Sequence, residues 1–341
     1  MSFIWPDRVF IIAELSANHG GSLDVCLDTV RAAAQAGADA IKLQTYTPDT
    51  ITLDCDTKPF RIAGGTLWDG RTLHDLYAEA MTPWEWHRPI RDEAERNGIA
   101  FFSSPFDFTA VDFLEDLAPA MYKIASFEIA DIPLIEYAAA KGRPMVMSTG
   151  IADEAAIQEA VAACRSAGND DITLLKCTSA YPAEPKDANL ATLPDMAARF
   201  GCRVGLSDHT MDEAVAVAAV ALGARLVEKH FILDRAVGGP DASFSLTPQE
   251  FGGMVSAVRT AEAALGRVRY GPEGQAARNA RFGRSLFIAQ DMAAGDVLTS
   301  ANLRSVRPGD GLHPRHYREL LGRRVTQAAA KGTPMDWSLV E

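Results

Sequence analysis

Short β-rich runs alternate with amphipathic helical stretches along the first 270 residues, the pattern of parallel strands joined by right-handed crossovers. Apolar runs at Val9–Leu15, Ala40–Gln44, Ala100–Ser104, Met121–Ser126, Pro144–Thr149, Ile172–Thr178, Arg203–Ser207 and Arg225–Phe231 predict eight strands. Helical periodicity between and after them predicts helices over Leu23–Ala36, Trp84–Asn97, Thr109–Leu117, Glu154–Ala167, Asp212–Leu222 and Pro248–Leu265. Gly37, Gly98, Gly168 and Gly223 stand where a left-handed residue ends a helix. Eight β/α units in this length predict a closed (β/α)8 barrel, the TIM-barrel class of α/β fold, which usually takes ~250 residues.

Three segments break the pattern. Thr47 to Thr82 is too long for an ordinary loop after the second strand and predicts a partly ordered lid or wall at the barrel mouth. Residues 271–284, rich in arginine, read as a linker between a 1–270 barrel domain and a 285–341 tail domain. In the tail, Gln290–Leu298 matches Gln327–Met335 at an offset of 37 residues, each half pairing a short strand with a glycine turn, which predicts a compact β-rich domain with internal pseudosymmetry.

Charge sharpens the division. The chain carries −12 overall, which disfavours nucleic acid and acidic membrane as partners. Residues 278–341 hold ten Lys and Arg against six Asp and Glu, leaving −16 on residues 1–277, so the tail is a separate module. Five cysteines in odd number without a C-x-x-C suit reduced thiols. No signal-peptide pattern and no membrane-length apolar run are present, and cytoplasm is the expected compartment.

A parallel barrel places its chemistry at the carboxyl ends of its strands, where alternate residues face the mouth. Those ends carry Glu14, Lys42 with Gln44, Ser103 with Ser104, Lys123 with Ser126, Ser148, Lys176 with Thr178, Ser207 with His209, and Glu228 with His230. A lone serine there is more often a cap, and a lone histidine a satisfied hydrogen bonder. Eight polar strand ends together would cost ~1–3 kcal/mol each if left unpaired, so a shared polar basin is the better reading. Lys42, Lys123 and the hydroxyls of Ser126, Ser148 and Ser207 suit a ligand with phosphate and carboxylate groups. His209 and His230, on adjacent strands, suit a shared divalent ion such as Mn2+, Co2+ or Zn2+, with water or substrate completing the shell. Lys176 leaves open a Schiff-base aldolase. The tail leaves open a non-enzymatic ice- or glycan-binding module.

Ile12-Ala-Glu-Leu-Ser-Ala-Asn-His-Gly20, Lys42-Leu-Gln-Thr45, Ser103-Ser-Pro-Phe-Asp107, Tyr122-Lys-Ile-Ala-Ser126, Ser148-Thr-Gly150, Lys176-Cys-Thr-Ser-Ala-Tyr-Pro182, Gly205-Leu-Ser-Asp-His-Thr210 and Glu228-Lys-His-Phe231 closely resemble the sialic acid synthase family. The tail, with Arg304-Ser-Val-Arg-Pro-Gly309, resembles that family's antifreeze-like (SAF) domain. The resemblance implies condensation of phosphoenolpyruvate with an N-acylated hexose to a nine-carbon 2-keto acid and phosphate. It implies that Lys42, Ser104, Lys123, Ser126, Ser148 and Ser207 bind substrate and that His209 and His230 hold a divalent metal, Mn2+ first, with Co2+ or Mg2+ as alternatives. Glu14 and Glu128 are implied as catalytic carboxyls, and Gln44, Tyr181 and Asp241 as lining the sugar side. Arg307 resembles the arginine that reaches the partner barrel in a domain-swapped homodimer.

Leu43-Gln-Thr-Tyr-Thr-Pro-Asp-Thr50, Leu67-Trp-Asp-Gly70, Thr82-Pro-Trp-Glu-Trp-His87 and Ala125-Ser-Phe-Glu128 resemble the family's pseudaminic acid branch, whose sugar is 2,4-diacetamido-2,4,6-trideoxy-L-altrose. Other branches usually carry glycine around Ser126 and asparagine in place of Ser179. N-acetylneuraminate and legionaminate synthesis are the alternatives. Phe127 and the tryptophan-bearing insertion offer apolar surface to a 6-deoxy sugar.

Overall fold

The computed structural model describes residues 3–65 and 67–341. The chain divides into two compact units, Met1–Gly266 and Arg267–Glu341. In the first, eight parallel strands close into a barrel in sequence order, β1 pairing with β8. They are β1 (Phe10–Glu14), β2 (Ala40–Thr45), β3 (Ala100–Pro105), β4 (Tyr122–Ile124), β5 (Met145–Ser148), β6 (Ile172–Cys177), β7 (Arg203–Asp208) and β8 (Leu226–His230). The expected (β/α)8 barrel is therefore present.

Alternation along the strands sorts their side chains into two sets. Phe10, Ile12, Ala40, Phe102, Met121, Val146, Leu175 and Leu226 form one buried cluster, the filling of the closed barrel. Ile11, Ala13, Ile41, Leu43, Tyr122, Met145, Leu174, Leu206 and Val227 belong to a larger cluster shared with the surrounding helices. The strands are apolar on both faces because both are covered.

The helices begin where polar caps sit. Ser22, Thr72, Asp107, Asp131, Asp153 and Thr247 each accept a backbone N–H of the first turn. Helices Ile132–Ala139 and Thr192–Phe200 escape the periodicity reading. Each is short and has a proline near its start, which reads as a breaker although the first turn tolerates it. The four expected glycine caps all take positive φ, Gly223 the largest at +101°. β4 is shorter than its apolar run because Ser126–Glu128 turns into a 3-10 helix.

The insertion after β2 holds helix Pro48–Ile51, a 3-10 turn Lys58–Phe60 and helix Leu73–Ala80, tied by an Arg61–Thr72 bridge. Tyr77 meets Tyr46 edge-on at 5.7 Å, so the insertion packs as a wall rather than standing free. The stretch read as linker contains a short helix, Gly274–Asn279.

In the second unit β9 (Ser285–Ile288) pairs antiparallel with β10 (Leu303–Val306). The 37-residue repeat appears as reciprocal bonding. Met292 and Ala329 exchange N–H···O bonds of 2.9 Å, and Gly295 N–H donates to Val325 O as Gly332 N–H donates to Ile288 O, both at 2.8 Å. Leu298 and Met335, also equivalent, are both buried in that unit's core.

Gly205 fixes how tightly β7 approaches its neighbours. A Cβ there would lie 2.6 Å from Leu226 O and 2.7 Å from Leu175 Cδ2. Overpacking of this kind typically costs about 1–3 kcal/mol. Gly205→Ala is expected to lower the midpoint of barrel unfolding by several degrees in a thermal melt followed by circular dichroism.

Candidate active site

Each strand extends its inward set by one or two polar residues at the mouth. Register brings several of them side by side: Glu14 pairs with Lys42 and His230, Gln44 with Ser104, and Ser207 with Glu228. Lys123, Ser148 and Cys177 continue the inward sets of β4, β5 and β6.

Four charges form the centre. Lys42 Nζ lies 2.8 Å from Glu14 Oε2 and 3.6 Å from Glu228 Oε1, and Lys123 Nζ lies 3.6 Å from the same Glu228 oxygen. All four side chains are at most 5% exposed. Burial alone would neutralise each group. Burial raises the Glu14 pKa, and the Lys42 charge opposes without overcoming it. Glu228 goes the other way: despite burial, Lys123 and Lys42 hold its pKa below the ordinary carboxylate value. Burial also pulls on Lys42, but Glu14 and Glu228 raise it, whereas Lys123 stays lowered by burial. Ser207 Oγ donates to Glu228 at 3.3 Å and Lys42 Nζ to Ser104 Oγ at 3.5 Å.

Hydroxyls line one side. Ser179 Oγ donates to Ser126 Oγ at 3.0 Å, and Ser148 Oγ is buried without a hydrogen-bond partner among the described residues. Gly150 makes room for them: a Cβ there would fall 2.2 Å from Ser179 Oγ and 2.4 Å from Ser126 Oγ.

On the other side the ring centroids of His209 and His230 are 5.3 Å apart. His209 Nδ1 donates to Thr178 O at 2.8 Å, which fixes its tautomer and leaves Nε2 for another partner. His230 Nδ1 is buried without a hydrogen bond among the described residues, 3.7 Å from Asp241 Oδ2. Burial, with the charges of His209 and the two lysines, holds His230 well below its ordinary pKa, in the neutral form that binds metal. Burial lowers His209 too, but the Cys177 thiol beside it reverses the direction. No group of three or more His, Cys, Asp or Glu assembles a metal site among the described residues. The donor set fits a two-imidazole site completed by substrate and water.

Asp241 accepts from Ser16 Oγ at 2.5 Å, and Gln44 Nε2 bridges Ser16 Oγ (2.8 Å) and Glu14 Oε1 (3.0 Å), so Glu14, Gln44 and Asp241 join one network. Tyr181 packs its ring 4.4 Å from His209 and 6.1 Å from Trp68 of the insertion. Glu128 tucks its carboxyl inward with Oε2 unbonded among the described residues, while adjacent Phe127 is 61% exposed. Burial pushes the Glu128 pKa up to about 7 against the pull of Lys123.

Three strand-end assignments change. Lys176 and Thr178 share the outer phase of Ile172 and Leu174; Lys176 Nζ donates to Cys177 O at 3.0 Å, and Thr178 Oγ1 to Asp187 O at 3.2 Å. The inward residue of β6 is Cys177, so the Schiff-base lysine is not in the basin. Ser103 likewise faces out, its Oγ 2.6 Å from Thr45 Oγ1, which also meets buried His87. The sequence puts Glu228 in the basin without a role, assigns none to Cys177, and marks Ser179 only as a difference between branches. The period-two phase set by Leu175 was the available signal for Cys177. Arg307 lies exposed in the second unit.

A parallel barrel whose inward strand ends gather buried lysines, carboxyls, hydroxyls and two imidazoles defines an enzyme of the (β/α)8 class. Residues 29–270 match the NeuB family and residues 283–341 the SAF domain. The chain belongs to the NeuB family and is an enzyme of the sialic acid synthase type. It is 47% identical over 326 residues to pseudaminic acid synthase of Campylobacter jejuni, covering 96% of this chain and 95% of that one. It is 43% identical over 333 residues to pseudaminic acid synthase of Helicobacter pylori, covering 97% of each. Its fold matches the crystal structure of spore coat polysaccharide biosynthesis protein spsE from Bacillus subtilis, with TM-score 0.66, 32% identity, and 99% and 97% of the two chains covered. No helix among the described residues is long and apolar enough to cross a membrane.

Glu128 generates a pH prediction for the substrate-free protein. Its folded pKa lies above the ordinary 4.5, so its neutral form favours folding, and that contribution is lost as pH rises from about 4.5 through about 7. Glu128→Gln is expected to match the wild type near pH 4.5 and to become the more stable protein by roughly 3 kcal/mol above pH 7. Paired thermal melts across pH check this; a difference independent of pH contradicts it.

Proposed function

We propose that the chain condenses phosphoenolpyruvate with 2,4-diacetamido-2,4,6-trideoxy-L-altrose, giving pseudaminic acid and phosphate as a metal-dependent transferase. The observation that carries this is the pairing, in one buried ring, of Lys42 and Lys123 beside an unbonded Ser148 hydroxyl with the two imidazoles of His209 and His230. The first group matches an enol phosphate carboxylate and the second a divalent ion. The similarity to two pseudaminic acid synthases over nearly the whole chain supports the sugar.

In this reading Lys42, Lys123, Ser104, Ser126, Ser148 and Ser207 hold phosphoenolpyruvate, with Ser179 supporting Ser126. Gln44, Tyr181 and Asp241 border the sugar. His209 and His230 would hold the ion, Mn2+ foremost, which when bound supplies Lewis-acid polarisation of a carbonyl oxygen. The C3 carbon of phosphoenolpyruvate bonds to the aldehyde carbon of the open-chain sugar, and the aldehyde oxygen takes a proton. Water adds to C2, the C2–O bond breaks, and phosphate leaves as the C2 carbonyl forms. Glu14 and Glu128, both drawn towards neutrality by burial, are the proposed proton carriers.

Exposed Phe127 offers its ring to the methyl of a 6-deoxy sugar, a contact worth ~0.8 kcal/mol. Leu53, Leu67, Ile151 and Met211 are also exposed on loops that follow strand ends. That apolar collar supports a homodimer in which the partner's tail covers the mouth and the partner subunit's Arg307 reaches the sugar.

Phosphate release from phosphoenolpyruvate, assayed with candidate hexoses and with or without Mn2+, tests the reading. The trideoxyaltrose is expected to be the preferred acceptor and chelator to stop turnover; preference for N-acetylmannosamine refutes the sugar assignment. His209→Ala and His230→Ala are each expected to lower Mn2+-dependent turnover at least about 100-fold with the barrel still folded. Arg307→Ala is expected to raise the KM for sugar more than that for phosphoenolpyruvate, as steady-state kinetics with each substrate varied will show.

A further inference from the structure

Asp208 and Lys229 stand one residue before His209 and His230, so their side chains take the outer faces of β7 and β8 while the imidazoles take the inner ones. They are Cα partners in the ladder. Lys229 Nζ lies 2.6 Å from Asp208 Oδ2, and the two side chains are only 1% and 2% exposed. The ammonium also donates to Thr210 Oγ1 at 3.4 Å and Asp212 O at 3.2 Å, and Asp208 Oδ1 accepts from Thr210 N at 2.9 Å and Oγ1 at 2.8 Å. Five hydrogen bonds thus tie the ends of β7 and β8 and the turn beyond them, directly behind the two rings.

A buried ion pair is a poor device for stability alone, since well-packed apolar residues of similar volume often serve as well or better. Its directional bonds fix a geometry instead. The histidines differ in their need for that. His209 has its own orienting bond to Thr178 O, whereas no hydrogen bond orients the His230 ring among the described residues, although ligand imidazoles are usually held by one. Beyond the 3.7 Å approach of Asp241 Oδ2 to Nδ1, the placing of His230 is therefore left to the backbone of β8 and to ring packing against Phe244, Tyr181 and His209.

We propose that Asp208 and Lys229 are positioning residues for the histidine pair, their bond across the outer face setting the height and twist of β8 against β7 and so the spacing of His209 and His230. The consequence for metal binding rests on the reading of that pair as the ion's ligands; the consequence for ring placement does not.

The test uses the full chain and the double variant D208L/K229M, which replaces both charges with apolar side chains. Mn2+ affinity is measured from the electron paramagnetic resonance signal of free ion. Ring environments in the metal-free protein are read from long-range 1H–15N correlations of labelled histidine, assigned with the two alanine variants. The double variant is expected to keep a near-native melting midpoint and a phosphoenolpyruvate KM within about twofold. Mn2+ affinity should fall by about 10- to 100-fold, as far as loss of a ligand's orienting support usually carries it, and the His209 and His230 ring signals should move while those of the other histidines stay. Native Mn2+ affinity with unmoved ring signals in the folded variant overturns the proposal. Should the wild type itself bind no Mn2+, the metal reading falls and the ring signals alone decide: moved, the positioning role stands; unmoved, it does not. Asp208→Asn, which keeps the shape and loses the charge, gives the same readings if the double variant fails to fold.

Discussion

Two ammonium groups enclosed in a barrel are the constraint around which the site is built. Lys42 and Lys123 lie where water cannot screen them, and each would lose its proton or pull the barrel open without a counter-charge. Glu228, whose pKa the two lysines hold down, supplies that counter-charge, while Glu14 lies 2.8 Å from Lys42 with its own pKa raised by burial. The balance is a loose one. Glu228 sits 3.6 Å from both ammoniums, a distance at which an oxyanion with better geometry can compete for the same donors. The unbonded hydroxyl of Ser148 is a further donor left for such a ligand.

The same constraint reconciles a basic site with an acidic protein. A net charge of −12 repels anions at long range, but the Debye length confines that field to about 10 Å at ordinary ionic strength. At the bottom of a low-dielectric basin the nearest charges dominate. A phosphate ester is held there by contact with particular donors, not by the field of the whole molecule.

How legible this was in the sequence follows from period two. Strand ends such as Glu14, Lys42, Ser148, Ser207 and His230 take the inner face that alternation from an apolar neighbour predicts. The barrel followed from the spacing of those strands. At β6 Lys176 and Cys177 are both plausible chemical groups, and only the phase set by Leu175 tells them apart. Ser179 stands out in the sequence as a branch marker alone, because it lies beyond the strand end, where no period applies and only tertiary approach over Gly150 brings it to Ser126. The tail repeat was readable because equivalent residues do equivalent bonding, Gly295 and Gly332 turning the chain at matched places.

One-residue parity also divides the labour at β7 and β8. Inward residues there carry Ser207, His209, Glu228 and His230, whose polar atoms face one another across the basin, while outward residues carry Asp208 and Lys229, sealed under the helices. A parallel barrel ordinarily fills the outward set with Val, Ile and Leu, as Leu206 and Val227 do one step earlier on the same strands. The change from apolar to ionic on the outer face occurs at the same level as the change from apolar to polar on the inner one. An outer layer of Leu and Val would hold the strands together but would tolerate small shifts, because apolar contacts have little direction. Hydrogen bonds of 2.6–2.9 Å between Lys229, Asp208 and Thr210 do not. The ionic layer thus fixes strand geometry at the height in the barrel where Ser207, Glu228 and the two imidazoles stand on the inner face.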